Sequence, residues 1–209
     1  MPNERSDIVK RFLGFFTAAV LLIAAYMILP IHGEAGVYDK VIRLHVLAAS
    51  DSDRDQANKL IVRDAVLEKT HTLLENANSR EEAEHILRAA QGELEQAAVT
   101  ALREAGSTDP VAVVLDTEHY PTKQYEQLAF PAGEYLSLRV MIGAADGQNW
   151  WCVLFPPLCL TTATEAKDTE AVCLSAGLTG EQYRVIADAE STTYRLRFKI
   201  LEVAEAIFG

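Results

Sequence analysis

The sequence predicts an α+β fold: one domain with a mainly antiparallel sheet packed against two or more helices, preceded by an N-terminal signal or anchor helix. Three observations carry that expectation. Residues 12–31 run for 20 positions without a charged side chain. Residues 52–106 hold two consecutive stretches at helical spacing, each opened by a serine with an acid three positions later. From Pro110 onward the apolar spacing changes to two, with turn residues between the alternating runs.

Taken in order, Lys10 and Arg11 stand immediately before the uncharged run. As a helix, a run of that length spans about 30 Å, the thickness of a bilayer core. Basic residues ahead of it orient the amino end to the cytoplasm and the remainder across the membrane. Gly33-Glu34-Ala35 offers a small-x-small pattern for a signal peptidase, although the run is long for a cleaved segment. Residues 1–35 are therefore assigned as signal peptide or membrane anchor, and residues 36–209 as an exported domain, secreted or held by its N-terminus. At about 170 residues that domain is large enough to bury a core. Arg5, Lys10 and Arg11 cancel Glu4, Asp7 and Glu34, so the exported part carries the whole net charge of −11. This disfavours nucleic acid and anionic lipid as partners and leaves membrane contact to the N-terminal segment.

Ile42, Leu44 and Val46 alternate with Arg43 and His45, which predicts a strand with one apolar face. Ser50-Asp51-Ser52-Asp53-Arg54-Asp55 then supplies helix-starting residues, with Ser52 and Asp55 as a capping box; the glycine and distal glutamate of a Ca²⁺ loop are missing. The helix expected over residues 53–75 places Ala57, Leu60, Ile61, Ala65 and Leu67 on its apolar face. Asp64 falls within that face and would need a partner there, Arg43 or His45 if the helix covers their side of the strand. A second helix starts at Ser79 and Glu82 and ends at Gly106, with Ala83, Ile86, Leu87, Ala90, Leu94, Ala97, Ala98 and Ala101 as its stripe. Strands are expected over residues 111–116, over 120–126 at an edge because of Pro121, and over 136–142. The last of these should turn back through Asp146-Gly147 into a strand over 150–155, as a hairpin. Residues 161–174 read as loop plus a short helix, and Gly177 to Gly180 break the chain. Residues 194–208 carry both a strand alternation and a helical spacing, and the longer helical pattern is preferred.

The stretch Gly147-Gln148-Asn149-Trp150-Trp151-Cys152-Val153-Leu154-Phe155-Pro156-Pro157-Leu158-Cys159 holds both tryptophans and two of the three cysteines. Adjacent tryptophans on a strand point to opposite faces, so only one of Trp150 and Trp151 is readily core. The other must cover a loop, a second layer or a partner. Pro156 and Pro157 must end the strand. In an oxidising compartment Cys152 and Cys159 are the expected disulfide by proximity, leaving Cys173 single.

Three blocks resemble a known family: Ile42-Arg43-Leu44-His45-Val46 with Ser50-Asp51-Ser52, Asp55-Gln56 and Val62-Arg63-Asp64-Ala65-Val66; Tyr120-Pro121-Thr122-Lys123 with Phe130-Pro131-Ala132-Gly133-Glu134-Tyr135; and the tryptophan–cysteine block above. Together, in that order, they resemble stage II sporulation protein R of endospore-forming Gram-positive bacteria. Cys173 is not part of that pattern. The resemblance implies a sporulation signal and not an enzyme, made in the forespore and exported into the space between the forespore and mother-cell membranes. There it would activate a membrane-embedded aspartic protease, through that protease's extracytoplasmic part, to process the precursor of sigma factor E. No catalytic residue, metal or cofactor is implied. The expected contact residues are Trp150, Trp151, Pro156 and Pro157. The competing reading is an exported hydrolase pairing His45 with Asp51 or Asp64, for which the sequence offers no zinc-protease, nucleophile-elbow or nucleotide-binding motif.

Overall fold

The computed structural model describes residues 12–18, 20, 34–125, 128–159 and 169–187. Residues 12–18 and 20 are helical with exposed side chains. The rest of the 12–31 run, and the tail over 194–208, lie outside the described residues. Among the described residues, no helix is long and apolar enough to cross a membrane.

The elements are α1 (Glu34–Tyr38), β1 (Ile42–Leu47), α2 (Asp53–Leu74), α3 (Arg80–Glu104), β2 (Val111–Tyr120), β3 (Lys123–Tyr125), β4 (Leu128–Phe130), β5 (Gly133–Ile142), β6 (Asn149–Phe155), α4 (Thr169–Ser175) and α5 (Gly180–Ala187). Four strands form one sheet in the order β2-β5-β1-β6, and β3 pairs with β4 in a separate two-stranded ribbon. The fold is α+β, and the sheet is mainly antiparallel: β2–β5 and β1–β6 are antiparallel, β1–β5 parallel.

The expected hairpin between the strands at 136–142 and 150–155 is not formed. β1 lies between them, with Leu44 opposite Leu138 on one side and Cys152 on the other. The Gly143–Gln148 connection therefore steps across the end of β1, where the Gly147 N–H donates to the Ala48 carbonyl at 3.0 Å. A Cβ at Gly147 would run into the Ser50 carbonyl, so only glycine allows that approach. Likewise residues 120–126 are not one strand. β2 continues to Tyr120 and stops at Pro121, and residues 123–125 start the small ribbon.

One face of the sheet is covered by α2 and α3. Ser52 caps α2 by accepting from the Asp55 N–H, and Ser79 caps α3 by accepting from the Glu82 N–H. The Glu82 carboxylate reaches back to the Asn78 N–H, one residue earlier than a standard capping box. α3 buries Ala83, Leu87, Ala90, Leu94, Ala98 and Leu102, close to the stripe read from sequence. α2 differs. It buries Val62, Val66, Leu67 and Leu74 together with Asn58, Lys59 and Thr70, while Leu60 and Ile61 are about two-fifths exposed. The apolar face expected on Leu60 and Ile61 is thus rotated, because three polar residues occupy the buried stripe. Lys59 is accommodated by donating to Gln56 Oε1 at 2.7 Å and to the Gln148 carbonyl at 2.9 Å, and burial lowers its pKa.

The other face of the sheet carries a smaller layer of α1, the β3–β4 ribbon, α4 and α5. Its core contains Val37, Tyr120, Phe130, Tyr135, Val153, Cys173 and Ile186. Cys173 is unpaired, and burial pushes its thiol up to about 11. The short helix expected within 161–174 is α4, with residues 161–168 outside the described set. α5 was not read from the sequence.

Candidate functional site

Among the described residues β6 is an edge strand, paired on one side only. Its alternation sends Trp150 toward the helix layer and Trp151 toward the second layer. Neither is fully buried and neither is free: Trp150 packs beside the main core, and Trp151 beside the smaller one. The two rings point to opposite faces, as expected, and both are half-buried, Trp151 covering the second layer. Each carries a cation. The Arg63 guanidinium lies 5.0 Å from the Trp150 ring centre, and Lys123 Nζ lies 3.7 Å from that of Trp151.

At the far end of β6 the chain turns sharply. Pro156, after a cis bond from Phe155, is buried, and Pro157 is exposed. The Leu158 N–H donates back to the Pro156 carbonyl at 2.7 Å, closing a three-residue turn. Cys152 and Cys159 are joined as a disulfide across this corner, with their Cα atoms 5.6 Å apart. Of the four proposed contact residues, then, Trp150, Trp151 and Pro157 reach the surface and Pro156 supports the corner from inside.

The Trp150 side opens into a groove between β6 and α2, bordered by Arg63, Asp64, Glu68, His71, Thr72 and Cys159. It runs on into an apolar cleft of about 310 Å³ whose walls include Leu67, Leu74, Leu154, Phe155, Pro157 and Ala176.

The Trp151 side is charged and aromatic. His45 is nearly buried, and its two ring nitrogens each face an acceptor: Glu118 Oε1 at 2.9 Å from Nδ1 and Asn149 Oδ1 at 2.8 Å from Nε2. Burial alone would raise the Glu118 carboxyl, but the hydrogen bond and charge of His45 hold it below the usual range. Next to it, Arg43 is completely buried. Its guanidinium carbon stands 4.1 Å from the Tyr120 ring centre, 4.9 Å from Tyr135, 5.6 Å from Tyr125 and 5.7 Å from Phe130. One nitrogen donates to the Tyr125 hydroxyl at 2.5 Å, while among the described residues Nε and Nη1 have no hydrogen-bond partner. Burial raises the hydroxyl pKa of Tyr120, Tyr125 and Tyr135, so the cage around the cation is neutral.

The hydrolase arrangement is not assembled. Asp64 lies on the exposed side of α2, paired with Arg63 at 2.7 Å, and Asp51 accepts from the Gln148 N–H at 2.8 Å. His45 projects from the sheet face that α2 does not cover, so Asp64 could not reach it. Both of its nitrogens are engaged, and neither is placed to take a proton from a nucleophile. The residues that matter here and were missed are Glu118, Asn149, Lys123 and Tyr125. Carrying the period of two on to Tyr120 would have put Glu118 on the Tyr120 side of β2. Nothing in the sequence pairs Arg43 with Tyr125, 82 positions away.

The model of the family described as stage II sporulation protein R matches residues 38–165, from the end of α1 past the disulfide corner. The chain belongs to the stage II sporulation protein R family. Stage II sporulation protein R of Bacillus subtilis (strain 168) is 42% identical over 121 residues, covering 58% of this chain and 54% of that protein. The chain thus spans about half the length of that relative. No solved structure matches. Family membership places the protein in sporulation, and the matched region includes both tryptophans, the disulfide corner, His45 and the Arg43 cage.

Proposed function

We propose that the protein is an exported signal that activates a membrane-embedded aspartic protease, which then processes the sigma-E precursor in the mother cell. In this reading residues 12–31 carry the chain across the forespore membrane, and the folded domain meets the extracytoplasmic part of the protease in the intermembrane space. The observation that carries the contact surface is the geometry of β6: an edge strand bearing two half-exposed tryptophans, ended by a disulfide-closed proline corner. Edge strands offer unpaired backbone groups, and aromatic anchors on a rigid frame bury area at low entropic cost.

The test is reconstitution in a non-sporulating host that makes the protease, the precursor and this protein outside the membrane. Trp150→Ala or Trp151→Ala is expected to cut precursor processing by about tenfold, with circular dichroism unchanged. Normal processing by both folded variants would move the contact elsewhere. Deleting residues 12–31 should silence the signal, and a leaderless chain that still triggers processing from the cytosol would sink the proposal.

A further inference from the structure

The wall that α2 turns toward β6 carries a line of acids. Asp64, Glu68 and Glu75 fall with His71 at successive spacings of four, three and four, so they share one face of the helix over about 16 Å. Asp64 is neutralised by Arg63 at 2.7 Å. Glu68 and Glu75 are exposed, and neither forms an ion pair among the described residues. Glu75 also stands at the C-terminal end of α2, where the helix dipole is negative and an acid is unfavourable on its own account. Below this rim the floor is hydrocarbon: Leu67, Leu74, Leu154 and Phe155 border the cleft of about 310 Å³. Unpaired acids above an apolar floor favour an occupant that brings both positive charge and large apolar side chains.

The same features disfavour other occupants. Anionic lipid and nucleic acid are repelled by the rim and by a net charge of −11. A second copy brings that charge again, and a symmetric contact would set the two acidic rims face to face. We propose that the α2–β6 groove receives a basic, apolar peptide segment of a partner protein, whose lysines or arginines meet Glu68 and Glu75 and whose apolar side chains enter the cleft. Who that partner is rests on the signalling reading, which names the extracytoplasmic part of the protease; the groove adds what that part must present. Because Trp150 borders the same groove, the docked segment extends the β6 contact onto the helix layer.

The experiment uses the full chain with the protease and the precursor in the reconstituted host, with benzoylphenylalanine replacing the exposed His71 between the two glutamates. Irradiation should crosslink it to the protease, and mass spectrometry should place the crosslink in an extracytoplasmic segment holding lysine or arginine together with large apolar residues. Glu68→Lys with Glu75→Lys should lower both crosslink yield and precursor processing about tenfold, with circular dichroism unchanged. Glu95→Lys with Glu104→Lys, exposed on α3, changes the net charge equally and should leave both readouts intact. Reversing the basic residues of the captured segment should restore both readouts to the chain carrying Glu68→Lys and Glu75→Lys. If the native chain drives processing, four results would each overturn the docking and leave the signalling reading in place. These are no crosslink, a crosslink to an acidic or uncharged segment, a crosslink to a second copy or within the chain, and a yield that responds no more to reversal on α2 than on α3. Absence of processing with the native chain would instead remove the signalling reading, and this docking with it.

Discussion

On the helix-covered face of the sheet, the side chains of Leu44, Val46, Leu115, Leu138 and Val140 join one hydrocarbon cluster with Val62, Val66, Leu87 and Leu94 of α2 and α3. On the opposite face the intervening residues of the same strands, Arg43, His45, Glu118 and Ser137, meet rings, a carboxylate, an amide and hydroxyls. Burial is nearly complete on both sides: Leu44 and Arg43 each expose 0%. What differs is replaceability. Contacts of the first kind need only an apolar side chain of about the right volume. Those of the second need particular partners, because a buried polar group deprived of its partner keeps its full desolvation cost.

The largest effect should come from the hydrocarbon face. Leu138 is fully buried between the sheet and the helices, so Leu138→Ala is expected to lower unfolding free energy by about 3 kcal/mol, and Leu138→Met by less than about 1.5 kcal/mol. Urea unfolding midpoints check both. If the two substitutions cost the same, the face is more sensitive to shape than the comparison allows.

Arg43 sharpens the contrast. Four rings surround its guanidinium and no carboxylate among the described residues pairs with it, so cation–π attraction works against the cost of removing the charge from water. Arg43→Ala empties the cage and should cost about 2 kcal/mol or more. Arg43→Met fills much of the same space without the charge, and is expected to fall within about 1 kcal/mol of the native protein or to exceed it in stability. A Met variant as unstable as the Ala variant would show that the rings outweigh the desolvation.

The same contrast explains how much could be read from the chain. The caps at Ser52 and Ser79, the α3 stripe and the alternation at Leu136 to Ile142 are local patterns, and each lies where the sequence predicts it. Alternation tells which face a residue occupies but not which strand lies beside it. The insertion of β1 between β5 and β6 was therefore illegible, and a hairpin was expected instead. The face of α2 was misread for a different reason: Lys59 and Asn58 are buried at positions where periodicity seeks an apolar residue. Lys59 can lie there because the Gln56 side-chain oxygen and the Gln148 carbonyl, 89 residues away, accept hydrogen bonds from its ammonium group. The Trp150 to Cys159 block was visible from composition alone, yet its setting on an edge, with one cation over each ring, depends on Arg63 and Lys123 from elsewhere. His45 was picked out as chemically interesting, but its partners Glu118 and Asn149 are 73 and 104 positions distant. A nearer aspartate looked equally suitable on paper.

The smallest effect belongs to Glu118, and pH isolates it. Its carboxyl is held below the ordinary range in the folded protein by His45, so the folded state gives up this proton more readily than the unfolded chain does. The stability it contributes is therefore fully present above the ordinary glutamate value of about 4.3, and is lost as pH falls below it through the folded value. Glu118→Gln keeps the shape but removes the titration. It should cost about 1 kcal/mol at neutral pH, the difference between a hydrogen bond to a charged group and one to a neutral amide. Below about pH 4 the gap between native and variant should close. Paired thermal melts from pH 7 down to pH 3 measure that gap. A difference that stayed constant, or widened in acid, would mean that Glu118 holds His45 by shape and not by charge, and the distinction between the two faces would then rest on Arg43 alone.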